Sequence, residues 1–210
     1  MAHLVLVRHG KSEWNELGLW TGWNDVELHA DGKHDAEKMA EHLKDIEIHL
    51  AHTSKLKRAK DTAAIILESL NLAHIPVHEH EALNERHYGI HQGKNKWQVK
   101  EEVGEEEFQN IRRGWDHVVE GGETLKQVHD RAVPYFEEHI LPQLKLGKNV
   151  LVAAHGNSLR ALTKYLCKLS DEEVCNLEIG IGEVHVYEFD NEGNILKSEI
   201  RGLNPNKGKI

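Results

Sequence analysis

The stretch LVLVRHG, residues 4–10, is a short apolar run that stops at an arginine, a histidine and a glycine, and LVAAHGN, residues 151–157, repeats the pattern far along the chain. Each reads as a buried strand delivering a polar trio at its carboxyl end. Open α/β sheets hold their ligands beyond the carboxyl edges of their strands. Two strand-end His-Gly pairs are therefore expected at one edge of one sheet, and neighbouring strands would turn both imidazoles into one pocket.

The rest of the chain supports such a sheet. Apolar runs at 4–7, 149–154 and 184–189, with shorter candidates at 48–53 and 75–80, are separated by segments of helical periodicity. Residues 31–43 align Ala36, Met39, Ala40 and Leu43 on one stripe, and residues 54–70 align Ala59, Ala63, Ile66, Leu67 and Leu70. Strands alternating with helices predict an α/β fold, a three-layer α/β/α sandwich with a mainly parallel central sheet flanked by helices. Ser54 and Ser170 read as helix N-caps. Residues 124–144 read as a long helix that Pro134 kinks. Residues 84–122 form a polar excursion rich in arginine, aromatic and acidic residues, and 204–210 a polar, turn-rich end expected to be mobile. At 210 residues, with no repeat or linker, the chain reads as a single catalytic domain spanning 1–210.

A formal net charge of −9 argues against nucleic acid as a partner, because phosphate backbones demand a broad basic face. No stretch is apolar enough for a membrane span, and MAHLVLVRHG lacks the layout of a secretion signal. A cytoplasmic enzyme acting on small molecules, and possible as a homo-oligomer, is the expectation. Cys167 and Cys175 read as reduced thiols, buried as small hydrophobes. Histidine pairs such as His78/His80 and His87/His91 lack a recognisable metal spacing, so no metal is expected.

The chemistry follows from residue types. Arg8 offers a planar fork of donors suited to phosphate, and His9 a ring nitrogen able to attack phosphorus while neutral. Gly10 would let the backbone approach the ligand closely. Arg58, Arg86 and the pair Arg112-Arg113 add guanidiniums, and phosphoryl transfer needs such a set because its transition state spreads negative charge over three oxygens. Cationic neighbours disfavour an imidazolium and keep His9 neutral. Glu85 is the candidate to exchange a proton with the departing oxygen, its bland alternative being a surface pair with Arg86. A phosphatase ending on water and a noncatalytic phospho-ligand module are the competing readings.

RHGKSEWN, LWTGWNDVEL, TSKLKRAKDTA, LNERHYGIHQGKNK, RRGW and AAHGNSLRAL resemble, in order and spacing, the cofactor-dependent phosphoglycerate mutases of the histidine phosphatase superfamily. The resemblance runs from Leu4 to about Phe189. It implies that His9 is phosphorylated, that Arg8, Arg58 and His155 hold the transferring group with Asn15 and Gly156 assisting, and that Glu85 is the proton donor and acceptor. It further implies that Ser12, Thr21, Gly22, Arg86, Tyr88, Lys96, Arg112, Arg113 and Asn157 bind the rest of the phosphoglycerate, and that 2,3-bisphosphoglycerate primes the enzyme without a metal. The chain departs from many relatives in two places: residues 116–122 replace a longer, often proline-rich connection, and Ile181 stands where a threonine is usual.

Overall fold

The computed structural model describes residues 1–207. Strands β1 (Ala2–Arg8), β2 (Leu50–Thr53), β3 (Val77–Glu79), β4 (Val150–Ala154), β5 (Val184–Phe189) and β6 (Ile195–Arg201) form one sheet in the order β3-β2-β4-β1-β5-β6. The first four run parallel to one another, and β5 and β6 add an antiparallel edge. The expected three-layer sandwich is therefore present.

Alternation along β1 divides the core. Leu4 and Leu6 face a layer containing α6 (Leu125–Tyr135), a π-helical turn (Phe136–Ile140), α7 (Leu141–Lys145) and α8 (Gly156–Cys167). Val5 and Val7 face α2 (Ala30–Glu41) and α3 (Lys57–Ser69), whose buried stripes are the ones the periodicity marks. Leu4 and Leu6 on one face and Leu43 and Leu151 on the other are buried to within 1%, so truncating a core leucine to alanine costs about 2–5 kcal/mol.

β1 and β4 are adjacent and parallel, with Arg8 level with Ala154, and the His9 N–H donates to Ala154 O at 2.9 Å. The next residues, His9 and His155, therefore leave the sheet side by side.

Several local expectations are corrected. α3 starts at Lys57 with Leu56 at its N-cap position, not Ser54, whose hydroxyl lies 2.7 Å from His155 Nε2. Gly10 is also required by packing, because a Cβ there would strike the carbonyl of Gly32 in α2. The helix Leu125–Tyr135 contains Pro134 and passes directly into the π turn Phe136–Ile140, so the regular α-helical pattern ends just beyond the proline. Cys167, at the end of α8, is exposed and Cys175, in α9 (Asp171–Asn176), is half-buried, both as free thiols. β6 escaped the sequence reading because its residues, ILKSEIR, are largely exposed at the sheet edge.

Residues 84–122 carry α4 (Lys96–Val103) and α5 (Glu105–Arg113), and their Tyr88, Val99, Phe108, Ile111 and Val119 form a separate apolar cluster with Trp20. The polar end is tied down as far as Lys207: Asn204 N donates to Glu183 Oε1 at 3.1 Å and Lys207 pairs with the same carboxylate. Residues 208–210 lie outside the described residues.

Candidate active site

His9 and His155 meet at the carboxyl edge of β1 and β4 with ring centroids 5.0 Å apart, both buried. His9 Nδ1 lies 2.7 Å from Gly10 O; a carbonyl only accepts, so Nδ1 carries the proton and Nε2 presents a lone pair. Burial holds the His9 pKa well below the ordinary histidine value, and Arg58 and Arg8 push it further down. His155 is lowered for the same reasons, burial first and then Arg58. Its Nδ1 is buried and has no hydrogen-bond partner among the described residues.

Guanidiniums surround the pair. Arg58 donates through Nε to His9 Nε2 at 3.4 Å, through one terminal nitrogen to Gly22 O and through the other to Asn24 O. Burial draws it down to about 10, which leaves it cationic at neutral pH. Arg8 is tethered to Ile179 O at 3.1 Å, while its buried Nε has no partner among the described residues. That nitrogen lies beside Gly156, where an added Cβ would stand 3.8 Å away.

Glu85 belongs to the polar excursion yet reaches the strand edge, where its Oε1 accepts the main-chain N–H groups of Arg86 and Asn157. Asn157 lies in the first turn of α8, whose positive end favours an anion. The backbone before Glu85 is clamped by Arg131, which donates to Ala82 O, Asn84 O and Glu85 O and pairs with Glu123.

One cavity is lined by Arg8, His9, Asn15, Thr21, Gly22, Arg58, Glu85, Tyr88, Lys96, Arg112, Arg113, Gly156 and Asn157. His155 is fully buried and does not line the cavity; its link to it is the ring contact with His9. Two further expected residues do not line it either. Arg86 is fully buried and spends its guanidinium on the carbonyls of Glu123, Ile111 and His117, so it braces the excursion instead of facing the cavity. Ser12 caps α1 (Glu13–Glu16) and accepts from Asn15 N, orienting Asn15 at one remove from the cavity.

Arg160 and Glu178 line the cavity and were missed, as were Leu19 and Trp20. Arg160 was findable: it follows Gly156 and Asn157 by one helical turn in AAHGNSLRAL, and it donates to Asn157 Oδ1, whose amide nitrogen donates to Tyr88 OH. Glu178 gave no signal. Near the mouth, burial together with Arg8 and Arg112 lowers Lys96 to about 8. Among the described residues no group of three or more His, Cys, Asp or Glu side chains is arranged to hold a metal ion, and no helix is long and apolar enough to cross a membrane.

The chain is 46% identical over 199 residues to a 2,3-bisphosphoglycerate-dependent phosphoglycerate mutase of Parvibaculum lavamentivorans, covering 94% of this chain and 95% of the relative. It is 47% identical to one of Cytophaga hutchinsonii, covering 91% and 90%. Among solved structures, a mycobacterial glucosyl-3-phosphoglycerate phosphatase in complex with VO3 is similar with a TM-score of 0.83 at 25% identity, covering 97% of this chain and 100% of that one. The sequence profile of the histidine phosphatase superfamily, branch 1, matches residues 4–200. With two strand-end histidines ringed by guanidiniums and a match across nearly its whole length, this chain belongs to the histidine phosphatase superfamily, branch 1.

Proposed function

We propose that this protein is a 2,3-bisphosphoglycerate-dependent phosphoglycerate mutase, an isomerase that interconverts 3-phosphoglycerate and 2-phosphoglycerate by carrying the phosphoryl group on Nε2 of His9. The observation that carries this reading is the neutral His9 ring, its Nδ1 proton spent on Gly10 O and its Nε2 facing Arg58. A neutral imidazole attacks; an imidazolium cannot.

Arg58 meets that nitrogen, and the unpartnered Nε of Arg8 and Nδ1 of His155 are further donors beside it for the oxygens of a phosphoryl group in flight: the charge of Arg8 acts on the His9 ring and His155 is in ring contact with it. Ser54 Oγ accepts from Leu56 N and lies 2.7 Å from His155 Nε2; with the hydroxyl proton directed at Nε2, His155 keeps its ring proton on Nδ1 and donates toward phosphoryl oxygen without carrying a charge. Lys96, Arg112 and Arg113 hold the second anionic end of the ligand, with Tyr88, Asn157, Thr21 and Gly22 around its middle.

A doubly phosphorylated carboxylate suits a cavity with six cationic side chains, and 2,3-bisphosphoglycerate supplies the phosphoryl group that first loads His9. His9 passes that group to the 2-hydroxyl of 3-phosphoglycerate while Glu85 takes the hydroxyl proton. After the ligand turns over, His9 removes the 3-phosphoryl group and Glu85 returns a proton to the departing oxygen. No net redox change or water is involved. The proposed place of this chemistry is the cytoplasm, in glycolysis and gluconeogenesis.

The test supplies 3-phosphoglycerate with a trace of 2,3-bisphosphoglycerate in a chelated buffer and follows 2-phosphoglycerate and free phosphate together. Rapid isomer formation with little phosphate is the expected result. Phosphate as the main product would assign a hydrolase instead. His9→Ala should abolish both products and keep the fold, and near-normal turnover in that variant would remove the covalent route.

A further inference from the structure

Only two carboxylates, Glu85 and Glu178, line the cavity among the described residues. Glu85 sits inside beside Arg8 and Gly156. Glu178, in the connection between α9 and β5, pairs with Arg113, with both side chains roughly four-fifths covered. The charge of Glu178 also supports Arg112 and Arg160 against the burial that lowers them.

Glu178 is a fixed part of the wall. Its neighbour Ile179 is held by Arg8 through its carbonyl, and the Gly180 N–H donates to the fully buried carboxylate of Glu183 at 2.9 Å. With both anchors within two residues, the backbone at Glu178 stays put and only its side chain can turn. It also stands where two cavities join, since Arg8, Asn15, Lys96, Arg112 and Glu178 line both of them.

A carboxylate placed among cations that must receive anions works against binding, and it works hardest against the most highly charged ligand. We propose that Glu178 is a specificity-determining counter-anion: it occupies Arg113 until the distal anionic group of a ligand displaces it, and so disfavours a second phosphate more than a carboxylate. The proposal rests on the mutase reading for the identity of its ligands. A phosphate dianion feels about twice the repulsion that a carboxylate feels at the same point. Like charges set against a competing ligand are a general means of discrimination. In a mutase, this charge would loosen the grip on the bisphosphate and let primer exchange with solvent.

The test measures equilibrium binding by calorimetry in a His9→Ala background, where no phosphoryl transfer interferes. Glu178→Gln should tighten 2,3-bisphosphoglycerate about tenfold and 3-phosphoglycerate about threefold or less. Glu178→Asp, which keeps the charge, should leave the ratio of the two affinities within about twofold of its starting value. An unchanged ratio, or equal weakening of both ligands, overturns the proposal. Isomerisation by the unaltered protein is assayed separately. A shifted ratio without isomer formation would sink the mutase reading and leave the charge argument standing, whereas isomer formation with an unshifted ratio would do the reverse.

Discussion

Glu85 is fastened to Asn157, 72 residues away in the chain, by a hydrogen bond of 3.1 Å from the Asn157 N–H to its Oε1. The same oxygen accepts from Arg86 N at 2.8 Å, so Oε1 is fully engaged. Oε2 faces Gly156, where a Cβ would stand 3.6 Å from it. One oxygen anchors and the other is left to exchange a proton. The excursion is thereby joined to α8, which begins just after His155, and the proposed acid is positioned by the same strand edge that positions the proposed nucleophile.

Replacing Glu85 by Gln keeps an oxygen for the two N–H groups but removes the exchangeable acid. Positioned proton transfer is worth about 10²- to 10⁴-fold in rate, so mutase turnover should fall by that order. Transfer to His9 from 2,4-dinitrophenyl phosphate, whose leaving group needs no proton, should fall far less. Rapid-quench measurement of phosphoenzyme formation with both donors separates the cases. Equal losses would mean that Glu85 only shapes the cavity, and no loss with either would place the proton donor elsewhere.

Lys96 opens α4, where the positive helix end, Arg8 and Arg112 all oppose its charge, and burial is the largest of the effects that lower it to about 8. A lysine with a lowered pKa is cationic below that value and loses its charge as pH rises through it. The KM for 3-phosphoglycerate should therefore climb above about pH 8, while the ligand, already ionised, no longer changes. Lys96→Arg keeps a cation throughout this range and should flatten the rise. Steady-state KM from pH 6.5 to 9.5 checks this, and an identical climb in Lys96→Arg would acquit Lys96.

The parts of the site that were legible in the sequence are those fixed by local pattern. His9 and His155 follow buried strands, and strand ends in a parallel sheet share an edge, so their meeting could be anticipated before any coordinate. Arg58 was legible for a similar reason, standing in the first turn of an amphipathic helix. Arg86 was not, because the direction of a long side chain is set by the carbonyls it finds, and those of Glu123, Ile111 and His117 come from distant segments. Ser54 looked like a cap from its neighbours, but its partner His155 is 101 residues away. Glu178 resembles any surface acid until the fold sets Arg113 against it. The sheet was legible except β6, whose exposed residues carry little hydrophobic pattern.

Acid sensitivity should come from histidines buried without charge, and His52 is the one to isolate because it lies outside the active site. It is 3% exposed on β2, with Nδ1 2.8 Å from Tyr135 OH and its ring 5.0 Å from that of His78. Burial lowers it from 6.5 to about 4, with His78 and His139 adding to the effect. Between those values the unfolded chain binds a proton that the folded protein refuses, so stability is present above about pH 6.5 and is lost as pH falls toward 4. At about 1.4 kcal/mol per unit, the whole shift is worth roughly 3 kcal/mol. His9 and His155 act in the same direction, and other groups add their own slopes, so the difference between variants is the measurement that decides. His52→Gln preserves a hydrogen-bonding group for Tyr135 and cannot be protonated. Urea unfolding from pH 6.5 to 4.5 should show a slope shallower by about 1.4 kcal/mol per pH unit, equivalent to one proton fewer taken up on unfolding. Parallel slopes for the two proteins would mean that His52 accepts its proton in the folded state.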